Sequence, residues 1–312
     1  MLRISLTDRC NLRCRYCMPE EGLDFEPKER LLAVDSIERI ARVAHGFGVR
    51  HFKLTGGEPT LRRELPSVVK ALRSLPDVEI SMTSNGIHLP RLAEPLREAG
   101  LDRLTISIDS LRPERYRTIT GGGRLDLAMR GFESASASFG PPKLNVVVMR
   151  GVNDDELVDF ARFAIDHDST VRFIEFMPLG ESPLADTRPE DVLVDADEIG
   201  TRISERLGEL LPLARDADPG IGPATLFQCP GGRGRIGFIH AMSRPFCESC
   251  NRLRLTATGT LRSCLFDGGE VELAPLLSLD DSGLRDAFSL CASYKPEVHG
   301  ARGGRAMSTI GG

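Results

Sequence analysis

Two groups of three cysteines stand out in a chain of 312 residues: Cys10, Cys14 and Cys17 near its start, and Cys247, Cys250 and Cys264 toward its end. A closed structural metal site takes four protein ligands, so three thiolates leave one coordination position for a group that is not protein. After Cys17 no Cys or His follows until His45, which favours an iron-sulfur cluster with one accessible iron over zinc. For the second group, structural zinc completed by His240, Cys229 or Cys291 is the competing reading. Between Cys229 and Cys264, however, stand Arg233, Arg235, Arg244, Arg252, Arg254 and Arg262 against a single acid, Glu248. In a strand, Arg252 and Arg254 share a face, and guanidinium forks suit phosphate oxygens. A nucleoside triphosphate is the economical ligand. Nucleic acid is disfavoured by little aromatic interleaving, a net charge of −5 and a pI near 5.8.

These residues need a scaffold, and the pattern supplies one. Strands are expected over 2–7, 51–54, 78–82, 103–108, 144–149 and 170–176. Helices are expected from Asp35 to about 46, then over 64–74, 89–99, 125–138, 154–165 and 195–211, the last with Ile199, Ile203, Leu207 and Leu210 on one face. Alternation of this kind implies parallel pairing with right-handed crossovers, in a doubly wound sheet or a barrel. The unusual residues collect after the strands, which is the habit of barrels: the cysteines, Thr55-Gly56-Gly57-Glu58-Pro59, Thr83-Ser84-Asn85-Gly86, Ser107 with Asp109, and Met177-Pro178. The expected fold is α/β, an incomplete (β/α)6 TIM-like barrel over 1–215. A linker rich in Asp, Gly and Pro over 214–223 leads to a smaller α+β domain, 216–312, with short strands near 235–240 and 252–256 and another toward Cys264.

Composition is that of a folded globular chain, 41% hydrophobic and 27% charged. The longest clean apolar run, 144–149, is far short of the roughly 20 residues that span a bilayer. The first residues lack the pattern of a secretory leader. Eight cysteines, six of them in two tight groups, point to metal chemistry in a reducing, cytoplasmic compartment rather than to disulfides.

Cys10-Asn11-Leu12-Arg13-Cys14-Arg15-Tyr16-Cys17 after a first strand, with Gly56-Gly57-Glu58-Pro59 after the second, resembles the radical S-adenosylmethionine superfamily. The resemblance implies a 4Fe-4S cluster on Cys10, Cys14 and Cys17, its open iron chelated by S-adenosylmethionine, with Tyr16, Gly57, Ser107 and Met177 as cofactor contacts. One-electron reduction then yields a 5'-deoxyadenosyl radical. The run from Phe246 through Cys247-Glu248-Ser249-Cys250-Asn251-Arg252-Leu253-Arg254 to Thr256, with Cys264-Leu265-Phe266 and the terminal Gly311-Gly312, resembles the GTP 3',8-cyclase family, the molybdenum cofactor biosynthesis protein A family, over nearly the whole chain.

That resemblance implies a second 4Fe-4S cluster on Cys247, Cys250 and Cys264 facing guanine. It also implies GTP contacts from Arg3, Lys53, Thr83, Lys143, Arg252, Leu253 and Arg254, and a functional tail of Gly311 and Gly312 anchored by Arg302 and Arg305. The implied reaction, that of a lyase, converts GTP to 3',8-cyclo-7,8-dihydro-GTP in the first step of molybdenum cofactor biosynthesis. Implied partners are cyclic pyranopterin monophosphate synthase as the next enzyme and a reducing donor such as flavodoxin or ferredoxin. Neither membrane nor nucleic acid is expected, and a homodimer is compatible with the sequence. Departures are the short stretch before Cys10, Ser84 where threonine is commoner, and Cys229 and Cys291, which read as buried thiols. Two other classes stay open: a radical enzyme with an auxiliary cluster that acts on a peptide, and a zinc-containing nucleic-acid module.

Overall fold

The computed structural model describes residues 1–312 except 20, 181, 185–186, 215–221, 267, 301 and 312. The first half alternates as the sequence predicts: β1 (Leu2–Ser5), α1 (Val34–Gly46), β2 (His51–Thr55), α2 (Leu65–Arg73), β3 (Glu79–Ser84), α3 (Leu89–Glu98), β4 (Arg103–Ser107), α4 (Pro113–Ile119), α5 (Leu125–Phe139), β5 (Lys143–Val148), α6 (Leu157–Asp166) and β6 (Thr170–Glu175). Next come α7 (Pro189–Val192), α8 (Ala196–Leu207), β7 (Leu211–Pro212), β8 (Thr225–Gln228), β9 (Arg235–Ile239), β10 (Leu253–Leu255), β11 (Thr260–Arg262), β12 (Glu270–Glu272), α9 (Asp281–Ser293) and α10 (Met307–Ile310).

Strands β1 to β6 are parallel neighbours in sequence order, the arrangement of a partial barrel. The later strands do not build a second sheet. β9 and β10 add in parallel to β6 and β1, with β8–β7 and β11–β12 outside them, so one twelve-stranded sheet runs β12-β11-β10-β1-β2-β3-β4-β5-β6-β9-β8-β7. Both free edges of the barrel are thereby paired by the C-terminal segment. The expected linker lies mostly outside the described residues.

Strand periodicity sorts the side chains. Leu2, Ile4, Phe52, Leu54, Ile80, Met82, Ile106, Leu144 and Phe173 turn outward and are buried under the helices, where the core sits. Helix α1 buries Ile37, Ile40, Ala41, Val43 and Ala44, a stripe at helical spacing. Its start differs from expectation: Ala33 is the N-cap and Asp35 sits in the first turn, where its charge favours the helix dipole. Helix α8 has Asp195 as its N-cap, the carboxylate accepting from Glu198 N at 2.8 Å, and stops at Leu207 before Gly208, short of the expected 211. Helix α4 was not legible, because seven residues with only Tyr116 and Ile119 buried carry too little periodicity.

Candidate active site

The cysteine loop leaves the C-terminal end of β1 and is braced by that unforeseen helix. Arg13 N and Arg15 N donate to Thr120 O and Ile119 O, both at 2.9 Å, where α4 ends. Cys17 N and Met18 N close a turn on Cys14 O at 2.9 and 3.1 Å. Cys14 and Cys17 pack against an apolar cup of Tyr16, Ile119, Val147, Met149 and Phe176, which keeps water from the loop. Tyr16 commits its hydroxyl to Asp109 Oδ2 at 2.9 Å, and Val147 N donates to the other carboxylate oxygen at 2.8 Å. Burial pushes Asp109 up to about 6. Burial likewise raises all three thiols, Cys10 to about 11 and Cys17 to about 12, with nearby carboxylates adding to the effect. Thiols so placed ionise when a strongly positive centre takes them as ligands.

Gly56 and Gly57 are required by a close approach, but what approaches is the chain itself. A Cβ on Gly57 would lie 2.4 Å from Arg9 O, and one on Gly56, where φ is +147°, 2.4 Å from Thr7 O. Gly57 N donates to Thr7 O at 2.7 Å and Glu58 N to Arg9 O at 2.8 Å, stitching this loop to the segment that enters the cysteines. The Glu58 side chain is buried and takes Thr60 N, Thr60 Oγ1, Ser84 Oγ and Asn85 N at 3.0, 2.5, 2.8 and 2.8 Å. The carboxylate ties the loop after β2 to the loop after β3, and Asn85 Nδ2, donating to Asn11 Oδ1 at 2.7 Å, joins the latter to the cysteine loop.

The second cysteine group sits at the opposite end. β10 lies in register with β1, Leu253 against Leu2, which places Cys250 at the amino-terminal end of the barrel; β11 returns antiparallel and brings Cys264 to the same end. Glu175, buried at the end of β6, accepts from Met242 N and Ser243 N at 2.8 and 2.9 Å and so fixes the segment leading to Cys247. Arg252 stacks on Phe246, 4.6 Å from the ring centroid, and its Nε donates to Cys250 Sγ at 3.4 Å; Lys295 Nζ donates to the same sulfur at 3.3 Å. Burial raises the Cys250 thiol, but Arg252 and Lys295 together outweigh it and bring the pKa down to about 7.

Between the two ends the barrel interior is polar rather than the usual packing of branched aliphatics. The register places Arg254, Arg3 and Lys53 side by side across β10, β1 and β2, and Thr105 beside Lys143 and Asn145 beside Arg172 across β4, β5 and β6. Burial, reinforced by the neighbouring cations, lowers Arg3 to about 9 and pulls Lys53 and Arg254 down as well. A concentration of like charge inside a protein is a seat for a polyanion.

A cavity of about 270 Å³ is lined by all six cysteines together with Tyr16, Gly57, Thr83, Ser107, Met177, Arg3, Lys53, Arg172, Arg252 and Arg254. A second, of about 500 Å³, shares Lys53, Arg172, Cys250 and Arg252 with it and adds Lys143 toward the amino-terminal end. The tail enters the first cavity. Met307 and Ser308 line it, Arg254 Nη1 donates to Gly311 O at 2.8 Å, and Gly311, at φ +70°, closes α10 against Ser5 and Thr55. Gly312 lies outside the described residues. Arg302 Nη2 donates to Gly180 O at 3.3 Å and Arg305 Nη2 to Glu270 Oε2 at 2.8 Å, holding the approach to the tail.

Of the expected site residues that are described, Leu253 and Gly311 line neither cavity; Gly311 is tied to the first one through Arg254. Leu253 alternates with Arg252 and Arg254 and packs on the outer core opposite Leu2, so what it offers the site is its backbone and its packing. Cys229 and Cys291 are buried as expected. Arg172, Glu175 and Lys295 were missed. Arg172 had a signal, since it is in phase with the inward positions of β6. Lys295 had none, because only tertiary folding brings the end of α9 to Cys250.

The donor set fits clusters better than single ions. Among the described residues no three His, Cys, Asp or Glu side chains converge closely enough to hold one metal ion, and all cysteines are free. Thiols spread around a recess suit a polynuclear centre several ångströms across. A partial barrel with such a thiol triad at its C-terminal mouth and a cationic interior defines a class of cluster-dependent barrel enzymes. The family model described as Radical SAM superfamily matches residues 4–164, and that described as Molybdenum Cofactor Synthesis C matches residues 169–301.

The chain is 46% identical to the GTP 3',8-cyclase of Moorella thermoacetica, covering 100% of this chain and 97% of that protein, and 43% identical to that of Listeria monocytogenes serovar 1/2a, covering 96% and 88%. It belongs to the GTP 3',8-cyclase family of the radical SAM superfamily. Two solved structures share its fold: Streptococcus suis SuiB bound to S-adenosylmethionine, with a TM-score of 0.59, 15% identity and coverage of 91% and 67%, and the methylornithine synthase PylB, with 0.51, 18%, 67% and 64%.

Proposed function

We propose that this protein is a radical GTP 3',8-cyclase, converting GTP to 3',8-cyclo-7,8-dihydro-GTP in the first step of molybdenum cofactor biosynthesis. The observation that carries the reading is one cavity with three thiols at each end and Arg3, Lys53, Arg172, Arg252 and Arg254 between. Cys10, Cys14 and Cys17 would hold a 4Fe-4S cluster, and Cys247, Cys250 and Cys264 a second. When bound, the first cluster and S-adenosylmethionine would supply a 5'-deoxyadenosyl radical able to take hydrogen from ribose C3' of GTP; C3' would join guanine C8, and one electron from the reducing donor with one proton would complete the 7,8-dihydro product.

The chain's own part is placement. Tyr16, Gly57, Ser107 and Met177 border the cofactor end; Arg3, Lys53, Lys143, Arg252 and Arg254 neutralise the phosphates of the nucleotide, and Thr83 stands beside it. The apolar cup behind Cys14 and Cys17 excludes water from the reacting end. The Gly311 carbonyl, held by Arg254, puts the end of the tail beside the substrate. In this reading residues 1–215 form the radical unit and 216–312 the nucleotide unit. The protein works in the cytoplasm with a low-potential donor such as flavodoxin or ferredoxin, and passes its product to cyclic pyranopterin monophosphate synthase. No described helix is long and apolar enough to cross a membrane.

The test incubates anaerobically reconstituted protein with S-adenosylmethionine, reductant and GTP, and measures 5'-deoxyadenosine and cyclised nucleotide. Both should form. 5'-Deoxyadenosine without a GTP-derived product would leave a radical enzyme and remove the substrate assignment. Deletion of Gly311 and Gly312 should abolish cyclisation while iron content stays unchanged; an active truncation would dismiss the tail's role.

A further inference from the structure

The two thiol groups sit in opposite electrostatic surroundings. At the C-terminal mouth carboxylates face the thiols, Asp109 beside Cys14 and Cys17 and Glu58 beside Cys10, with Arg13, whose Nη1 donates to Cys10 O at 2.8 Å, a cation among them. At the other end two cations meet on one sulfur. Arg252 Nε and Lys295 Nζ both donate to Cys250 Sγ, at 3.4 and 3.3 Å. The arginine is pre-set by its stack on Phe246. The lysine is pre-set by the fold. It follows the last turn of α9, its Nζ also donates to Ser263 O at 3.3 Å, and Ser263 Oγ donates to Tyr294 O at 3.2 Å, so the buried Ser263 holds both the lysine's ammonium and the backbone of the residue before it.

Reduction of an iron-sulfur cluster adds one electron whose charge spreads onto the ligating sulfurs. Donors and positive charge at a sulfur stabilise the reduced form and raise the potential; nearby carboxylates do the reverse. We infer that Lys295 is a positioning residue for the second cluster, donating to Cys250 Sγ alongside Arg252 and holding that cluster at a higher reduction potential than the one on Cys10, Cys14 and Cys17. An electron given to the chain then rests at the nucleotide end, while the cofactor end stays the harder to reduce. This rests on the reading of Cys247, Cys250 and Cys264 as a cluster site.

The experiment is an EPR-monitored redox titration of the reconstituted holoprotein, wild type, Lys295→Met and Lys295→Arg. In the wild type the second cluster should reduce at the higher potential. Lys295→Met should shift it downward and leave the first cluster's midpoint in place, and Lys295→Arg should restore most of the shift. An unchanged midpoint in Lys295→Met with iron retained overturns the inference.

Should Lys295→Met lose its iron, the wild type decides. Protein grown with ¹⁵N-lysine should show a ¹⁵N coupling on the EPR signal of the reduced second cluster, and its absence overturns the inference equally. The underlying reading fails differently: iron well below about eight per chain, the content of two four-iron clusters, removes the second cluster itself.

Discussion

Glu58, which borders the first cavity, illustrates how a motif residue can also serve as a structural anchor. Its carboxylate accepts from Thr60, Ser84 and Asn85, and nothing else nearby replaces those four contacts. Burial raises its pKa, and the hydrogen bonds work against that rise. Glu58→Ala should cost about 3 kcal/mol or more, since several buried donors lose their acceptor; urea unfolding measures it, and a loss under 1 kcal/mol would contradict the anchoring role.

Lys53 shows the converse, a residue held at a cost to stability for the sake of an anion. Burial first, then Arg172, Arg3 and Lys143, lower its folded pKa well below 10.5. The folded state therefore binds fewer protons than the unfolded one between the lowered pKa and the usual lysine value, and stability from this group rises with pH across that window. Lys53→Met should raise the thermal midpoint of nucleotide-free protein at neutral pH, flatten the rise with pH, and weaken the stabilisation given by inorganic triphosphate. Thermal scans at several pH values check all three. That the cysteines and arginines were candidates for the site was legible from type and spacing; that Lys53 is enclosed among three other cations was not, because register across β1, β2, β5 and β6 is not a local property.

At the scale of elements, the loops after β1 and β2 behave as one unit. The Gly57 backbone lies against Arg9 O with no room for a side chain. Gly57→Ala should push the cysteine loop outward, cost about 1–3 kcal/mol by overpacking, and lower iron loading at the first site while the second site loads normally. Iron content with EPR of each cluster reads this; normal loading at both sites would argue against the coupling. The glycine pair was legible, though the reason for it was not: the strands and loops could be read along the chain, while their mutual approach could not. The same holds for α4. Its seven residues carry almost no periodic signal, yet its end receives the backbone bonds of Arg13 and Arg15 and so shapes the loop.

For the whole molecule, the sheet argues that the C-terminal third is part of the barrel's own construction. β9 and β10 occupy the two edges that β6 and β1 would otherwise expose. A chain ending at Pro212 keeps every barrel strand but bares both edges, and should associate or precipitate rather than give a monomer. Size-exclusion chromatography decides, and a monodisperse soluble barrel would show that edge pairing is dispensable.

The sequence by itself determined the alternating α/β plan, the two thiol triads and the abundance of arginine near the second, because periodicity, ligand type and spacing are local and written along the chain. Only the tertiary structure decided that the triads stand at opposite ends of one cavity, that Arg172 lines it, that Lys295 reaches Cys250, and that the Gly311 end of the tail folds against Arg254. Those facts depend on strand register and on parallel pairing between segments some 250 residues apart, such as Leu2 with Leu253. Such pairings are selected by burying both elements at once, so no stretch read alone contains them.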